Sequence, residues 1–88
     1  MVRPAKRAHR MERLLDYLAG IGDDAQASSE IGEGTGLGDG ALPLLADLVR
    51  RGWLEYCHQV RDGRLQLLYQ VTDRGRTELV PRAQRTVD

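Results

Sequence analysis

The sequence predicts an α+β domain in which a three-helix core leads into a two-stranded β-hairpin and a short last helix. Three observations predict this order. Apolar residues recur at helical spacing in residues 6–19 and again after Asp39. Asp62-Gly63 separates two runs of strand-forming residues, and another apolar helical segment follows at 73–80.

Length and composition limit the function classes. A chain of 88 residues suits one domain with a modest core and is too short for a two-lobed enzyme cleft. No apolar run approaches the ~20 residues of a membrane span, and the N-terminus lacks the apolar segment of a secretory signal, so we expect a cytoplasmic protein without membrane contact. Cys57 is the single cysteine, and neither a disulfide nor a metal site is expected. No cofactor and no catalytic constellation are predicted, so we expect no enzyme.

The formal net charge is zero, but the charges are segregated along the chain. Five basic residues precede Leu14, none lies between Leu14 and Val49, and eight arginines follow from Arg50 onward. A neutral total can therefore contain a basic face, which phosphate binding requires. The basic residues of the first helix have two open interpretations, a solvated face or phosphate contacts.

The first helix is predicted over residues 6–19. Met11, Leu14, Leu15 and Leu18 repeat at i, i+3, i+4 and i+7, which indicates one buried face, and Gly20 begins the stop. A loose basic arm is expected before it, at residues 1–5.

A second helix is predicted to begin at a cap near Ser28, with Ile31 as its core residue. Glycine occupies every second position from 32 to 40, which is costly inside a helix because each glycine loses about 1 kcal/mol relative to alanine. We expect Gly36 and Gly38 to form a tight turn around Leu37 between two crossing helices.

The third helix is predicted to begin at Asp39 as its cap and to end at Gly52. Ala41, Leu45 and Leu48 form its apolar stripe. Pro43 fits the first turn, where its missing N–H loses little.

Strands are predicted at residues 53–60 and 65–71, with Trp53 in the core. Asp62-Gly63 suits a two-residue turn because both central positions of that turn favour positive φ. Arg61 and Arg64 flank it, and we expect both guanidinium groups to point outward, either into a narrow minor groove or simply into solvent. The last helix is predicted at 73–80, ended or kinked by Pro81, with a tail at 81–88.

Together these elements resemble the PadR-type branch of winged helix-turn-helix transcriptional regulators, in the wider group that includes MarR-type proteins. The resemblance covers roughly residues 10–80 and is carried by residues 14–18, 29–31, 35–37, 45–54 and 69–75. It implies a winged-helix domain at 6–80, a repressor-like function, and a homodimer on double-stranded DNA. The third helix would enter the major groove, and the hairpin, called the wing, would contact the minor groove.

The resemblance assigns DNA contacts to three places. They are the third-helix face with Asp39, Gly40, Ala41, Pro43 and Asp47, the start of the second helix with Ser28 and Ser29, and the wing tip with Arg61 and Arg64. Because aspartates and small residues are poor readers of base edges, Arg50, Arg51 and helix N-termini are expected to supply phosphate contacts.

Two further expectations follow. The apolar stripes of segments 6–19 and 73–80 exceed what a three-helix core uses, which favours a homodimer through them. The acidic and apolar third-helix face also permits an alternative from another class, a winged helix that binds a protein partner and does not read DNA.

Overall fold

The computed structural model describes the backbone of residues 5–85 and the side chains of residues 9–82. In chain order the elements are α1 (Ala5–Ile21), α2 (Ser28–Thr35), a 3₁₀ turn (Gly38–Gly40), α3 (Ala41–Arg50), β1 (Leu54–Arg61), β2 (Arg64–Val71) and α4 (Asp73–Arg85). The α+β class is confirmed, with four helices and a two-stranded antiparallel sheet. Residues 1–4 of the expected arm and 86–88 of the expected tail lie outside the described residues. None of the described helices is long and apolar enough to cross a membrane.

The core is built from the apolar stripes of all four helices and the base of the hairpin. Its buried members are Leu14, Leu15, Leu18, Ile31, Ala41, Leu44, Leu45, Leu48, Leu54, Val71 and Leu79. The predicted stripes of α1 and α3 are therefore core-facing, with Met11 half-buried at the edge. Burying each such leucine or valine contributes about 1.5–3 kcal/mol, which makes this cluster the main source of stability.

The turn between α2 and α3 follows the predicted glycine pattern. Gly36 and Gly38 both have positive φ, 76° and 57°, and Leu37 between them packs against the core. The buried Thr35 hydroxyl donates to the Ile31 carbonyl at 2.7 Å and accepts the Leu37 amide at 3.2 Å. A Cβ at Gly32 would lie 2.7 Å from the Gly38 carbonyl oxygen, so the two segments approach closely only because Gly32 has no side chain.

The predicted cap of the third helix, Asp39, is one residue too early. Asp39 lies inside the 3₁₀ turn, α3 begins at Ala41, and the N-cap is Gly40, which offers no side-chain bond. The Gly40 amide donates to the Leu37 carbonyl at 3.0 Å, an i→i+3 bond. The chain reaches α3 through this tighter helical turn, so Asp39 does not occupy the extended conformation of a capping residue.

The end of α3 is as predicted. Gly52 has φ 81°, its amide donates to the Val49 carbonyl at 3.0 Å, and the Trp53 amide donates to the Leu48 carbonyl at 3.0 Å. This pair of bonds is the Schellman motif, in which glycine takes the left-handed position just beyond the helix. Trp53 is half-buried and packs on the edge of the core rather than inside it.

The hairpin has the predicted turn and an unbroken register. Leu54 pairs with Val71 at the base and Arg61 with Arg64 at the tip. Asp62 and Gly63 have φ values of 53° and 77°, as the two-residue turn with positive φ at both positions requires.

A residue outside the hairpin also pairs with the sheet, which the sequence did not indicate. Gln26, in the connection between α1 and α2, forms a bridge with Tyr69 on the free edge of β2. The Gln26 amide donates to the Tyr69 carbonyl at 3.0 Å and the Tyr69 amide donates back at 2.8 Å. The hairpin is thereby attached to the helical part of the domain on both sides of its base.

Thr72 joins three elements at the point where β2 ends. Its amide donates to the Trp53 carbonyl at 3.0 Å and its hydroxyl donates to the Gly52 carbonyl at 2.6 Å. The same hydroxyl accepts the Gly75 amide at 3.0 Å, so Thr72 is the N-cap of α4. A Cβ on Gly75 would overlap the Trp53 carbonyl oxygen, so only glycine permits this approach.

The last helix does not stop at Pro81. It continues to Arg85, and the predicted tail is helical through that residue. Proline inside a helix costs about 3 kcal/mol, and the residues on either side of Pro81 make tertiary contacts. Leu79 is buried in the core, and the Arg82 guanidinium lies 2.7 Å from Glu12 and 2.8 Å from Asp16 on α1.

The junction at Thr72 gives a matched pair of glycine substitutions. Gly75→Ala forces a methyl group against the Trp53 carbonyl and should destabilise the fold by about 1–3 kcal/mol. Gly20→Ala adds the same methyl group on α1 where nothing lies within 4 Å, and should stabilise by about 0.5–1 kcal/mol. Urea unfolding followed by circular dichroism measures both, and equal effects of the two substitutions would contradict the close approach.

Candidate nucleic-acid interface

The surface predicted to contact DNA consists of α2, the turn to α3, the exposed side of α3 and the hairpin tip. A groove runs between the start of α2 and the start of α3. It is lined by Ser28, Ser29, Gly32, Glu33, Gly38, Asp39 and Leu42, and we call it the α2–α3 groove. Its walls carry two carboxylates and no cation, and Leu42 is 45% exposed at one side.

Of the third-helix residues predicted to contact DNA, some are exposed and one is buried. Asp39 and Pro43 are exposed and Gly40 is half-exposed, so these three are accessible. Ala41 is only 1% exposed, because it faces the core together with Leu45. Its assignment as a DNA contact is therefore corrected, since a core-facing methyl group cannot reach a ligand.

The cap of α2 lies next to Ser28, within the predicted neighbourhood. Ser28 and Ser29 are the first two residues of the helix, and Ala27 holds the N-cap position. The cap is supplied from inside the helix, because Glu30 Oε1 accepts the Ala27 amide at 2.8 Å. Ser29 remains exposed at the helix N-terminus, where backbone N–H groups favour anions, but the Glu30 carboxylate already occupies part of that region.

At the end of α3, two predicted phosphate-binding arginines share one carboxylate. Arg50 lies 3.2 Å and Arg51 3.1 Å from the Asp47 side chain, and Arg51 also lies over the Trp53 ring at 5.8 Å from its centroid. The guanidinium side chains are 70% and 50% exposed. Because exposed pairs of this kind are worth at most about 1 kcal/mol, a phosphate can compete for either arginine.

The wing tip differs from the expectation that both arginines point outward. Arg61 is turned toward α2, where its Nη1 donates to Glu30 Oε1 at 2.7 Å. Arg64 is exposed and makes no ion pair with a described residue. The tip therefore presents one free guanidinium group and one that a carboxylate holds against α2.

Glu30 is the residue that sequence reasoning missed. One carboxylate oxygen accepts both the Ala27 amide and the Arg61 guanidinium, so this side chain caps α2 and fixes the wing at the same time. The Ala27 hydrogen bond is the largest cause that lowers the pKa of Glu30, and the Arg61 hydrogen bond is the next. Glu30 stands three residues after Ala27, the spacing of a capping box, which is the only sequence signal that could have indicated the cap.

A second groove is basic. His9, Arg10 and Arg13 of α1 line it on one side, and the turn after α2 lines it on the other. Arg13 Nη1 donates to the Thr35 carbonyl at 3.4 Å, which places its charge beside that turn. The groove places Arg10 and Arg13 side by side, and the solvated and phosphate-binding interpretations of the basic first helix both stay predictions.

Most arginines in the described part of the chain are paired with carboxylates. Ion pairs hold Arg50, Arg51, Arg61, Arg76 and Arg82, and Arg76 contacts both Asp23 and Asp73. Arg10, Arg13, Arg64 and Arg74 have no ion pair among the described residues. Among the described residues, the arginines without an ion pair thus lie at the α1 groove, at the wing tip and, as Arg74, on α4.

A scan against protein-family models, a search of curated proteins and a search of solved structures each found no match to this chain. Within the described residues, no group of three or more His, Cys, Asp or Glu side chains is placed to hold a metal ion.

The two bonds to Glu30 can be separated by titration. The folded-state pKa of Glu30 lies below its ordinary value, so its stabilising contribution is present above the unfolded-state pKa and is lost as pH falls through the folded-state pKa. Ala27→Pro removes the amide donor at a φ of −73°, which proline tolerates, and Arg61→Ala removes the guanidinium. We expect both variants to raise the pKa of Glu30, because each removes a hydrogen bond that stabilises the charged carboxylate. NMR titration of the Glu30 carboxyl carbon measures this, and an unchanged pKa in Arg61→Ala would show that the pair does not persist in solution.

Proposed function

We propose that this protein is a winged helix-turn-helix transcriptional regulator of the PadR-like kind that binds double-stranded DNA in the cytoplasm as a repressor. The observation that carries the proposal is the arrangement of α2, its glycine turn and α3 beside a hairpin with an arginine-flanked tip. The outer side of α3 packs against no other described element, so a helix with free access stands next to a free hairpin tip.

In the proposed complex α3 enters the major groove and the wing tip reaches the minor groove. Arg64 supplies the first contact at the tip, and Arg61 joins it by exchanging Glu30 for phosphate or a groove edge. Arg10 and Arg13 on α1, with Arg50 and Arg51 after α3, are placed to bind the backbone on either side. Phosphate contacts of this kind position a protein on DNA without reading its sequence.

Base reading by α3 would be weak. Its accessible positions offer Leu42, Pro43 and Asp39, whereas direct readout normally uses Arg, Lys, Asn or Gln. Glu33 and Asp39 would also repel nearby phosphates. Under this proposal, specificity comes mainly from groove width and DNA deformability, to which an arginine in a narrow minor groove is sensitive.

The second candidate function is binding of a basic protein partner through the α2–α3 groove. The observation that favours it is the composition of that groove, in which Glu33 and Asp39 stand beside the exposed Leu42. An exposed apolar side chain with flanking carboxylates suits a segment that carries an apolar anchor and cations. Such a protein would keep the winged-helix fold and have no affinity for duplex DNA.

The salt dependence of binding to DNA distinguishes the two candidate functions. A complex driven by phosphate contacts should bind a mixed-sequence duplex at low salt and lose affinity linearly on a log–log plot as salt rises. Fluorescence anisotropy with a labelled duplex of about 20 base pairs, repeated at several salt concentrations, measures the slope. Absence of binding at the lowest salt, from a protein whose fold is intact by circular dichroism, would exclude the DNA proposal and leave the protein partner.

Removing the wing arginines tests their role within the same assay. Arg61→Ala with Arg64→Ala should weaken binding to unrelated duplexes alike and flatten the salt slope by roughly one to two units. The matched control is Arg74→Ala with Arg76→Ala, which removes the same number of charges from α4 and should leave the slope near its original value. If both double variants change the slope equally, the effect reflects net charge, and the wing makes no specific contact.

A further inference from the structure

The outer edge of β1 pairs with no other described strand. β1 pairs with β2 on one side, and no described residue pairs with its other side. The edge strand has eight residues, Leu54–Arg61, and contains neither lysine nor proline. Proteins usually protect such an edge with one of these residues or with a very short strand, because unpaired N–H and C=O groups attract another strand.

The direction of the free backbone groups follows from the turn. A two-residue turn closes on a hydrogen-bonded pair, here Arg61 with Arg64, and bonded and non-bonded pairs alternate from there. The Tyr56–Tyr69 pair is therefore non-bonded, which agrees with the use of the Tyr69 backbone by Gln26 on the far edge. It follows that the outward groups of β1 belong to Tyr56 and to the alternate residues after it.

One face of the hairpin beyond its base is apolar and exposed. Val60 is 70% exposed and Leu65, its partner across the strands, is 71% exposed. Tyr56 and Leu67 on the same face are 51% and 46% exposed. A continuous apolar surface next to an unpaired edge is typical of an interaction site.

The charges of β1 select one register for pairing with a second copy. Glu55 and Arg61 lie at equal distances on either side of His58. In antiparallel pairing centred on His58, Glu55 of each copy stands opposite Arg61 of the other, on the same face of the sheet. The outward groups also match, because Tyr56 then opposes Val60 and His58 opposes itself.

We propose that two copies of this chain pair antiparallel along β1, centred on His58, and form one four-stranded sheet. Two Glu55–Arg61 ion pairs and two Tyr56–Val60 contacts hold the interface. Arg61 keeps Glu30 at the same time, since its guanidinium has five N–H donors. This interface replaces the terminal segments expected from the sequence, and it depends on the hairpin alone, not on DNA binding.

Charge reversal tests the register. Glu55→Arg and Arg61→Glu each place like charges opposite one another twice, and each variant alone should dimerise about tenfold more weakly than the original chain. In an equimolar mixture every pair is again complementary, so a 1:1 heterodimer should form. Sedimentation velocity at low salt, with one variant carrying a fluorescent label, distinguishes these species from the 9.8 kDa chain.

Glu78→Arg is the matched control, because it makes the same charge change at an exposed position on α4. It should dimerise like the original chain. The proposal is overturned if the original chain remains a monomer at high micromolar concentration, if Glu78→Arg dissociates as much as Glu55→Arg, or if the mixture does not recover the dimer. Recovery in the mixture also shows that both variants fold.

A disulfide gives an independent test of the same register. Cys57 of one copy stands opposite Gln59 of the other in a non-bonded pair, the spacing that a disulfide can bridge. Gln59→Cys with oxidised glutathione should form a covalent dimer, since each bond takes two electrons and two protons from the thiols and converts one glutathione disulfide to two glutathione molecules. Cys57→Ser in the Gln59→Cys background should form none. Equal crosslinking in the two proteins, or none in either, contradicts the register.

Discussion

The Thr72 hydroxyl is the contact on which the arrangement of the other elements depends. It donates to the carbonyl of Gly52, just after α3, and accepts the amide of Gly75, in the first turn of α4. One side chain thus fixes the exit of the third helix, the base of the hairpin and the entry of the last helix. Gly75 completes the junction, because any side chain there would strike the Trp53 carbonyl. Losing this hydroxyl would leave two backbone groups of the junction without a partner, at a cost of about 1–3 kcal/mol each where they are buried.

The parts of the fold that the sequence predicted are those with local causes. Gly52 ends α3 and Asp62-Gly63 turns the hairpin because these positions require positive φ, which glycine adopts without strain and aspartate tolerates. The caps of α2 and α3 were predicted less precisely than these turns, because the sequence indicated only the neighbourhood of Ser28 for α2 and placed the α3 cap one residue early. Several polar residues near each start can cap a helix, and the choice depends on where the incoming chain is attached. For α2 that attachment is the bridge from Gln26 to Tyr69, a pairing between segments far apart in the sequence.

The same limit applies to the site. The resemblance assigned DNA contacts by position in the sequence. Whether such a residue is exposed depends on which side of α3 faces the core. Ala41 faces the core and is therefore no longer a candidate DNA contact. The Glu30–Arg61 pair joins residues 31 positions apart, so no local pattern indicates it. The pair reduces the positive charge that the wing offers to a ligand, because Arg61 is bound to the Glu30 carboxylate in the folded domain. Exchange for a phosphate is still feasible, since the pair is solvent-exposed and such pairs contribute little.

The two surfaces proposed for the hairpin, its tip and its β1 edge, share Arg61 and otherwise use different residues. Pairing centred on His58 relates the copies by a two-fold axis perpendicular to the sheet, so both domains direct equivalent surfaces to the same side. Eight residue steps separate the two Leu54 positions, about 27 Å at ~3.4 Å per step. Half-sites one turn apart on DNA are separated by ~34 Å, more than this distance, and each α3 joins its strand at the outer end. Edge pairing would therefore place one third helix at each end of the paired strands, while Arg64 on β2 stays outside the interface.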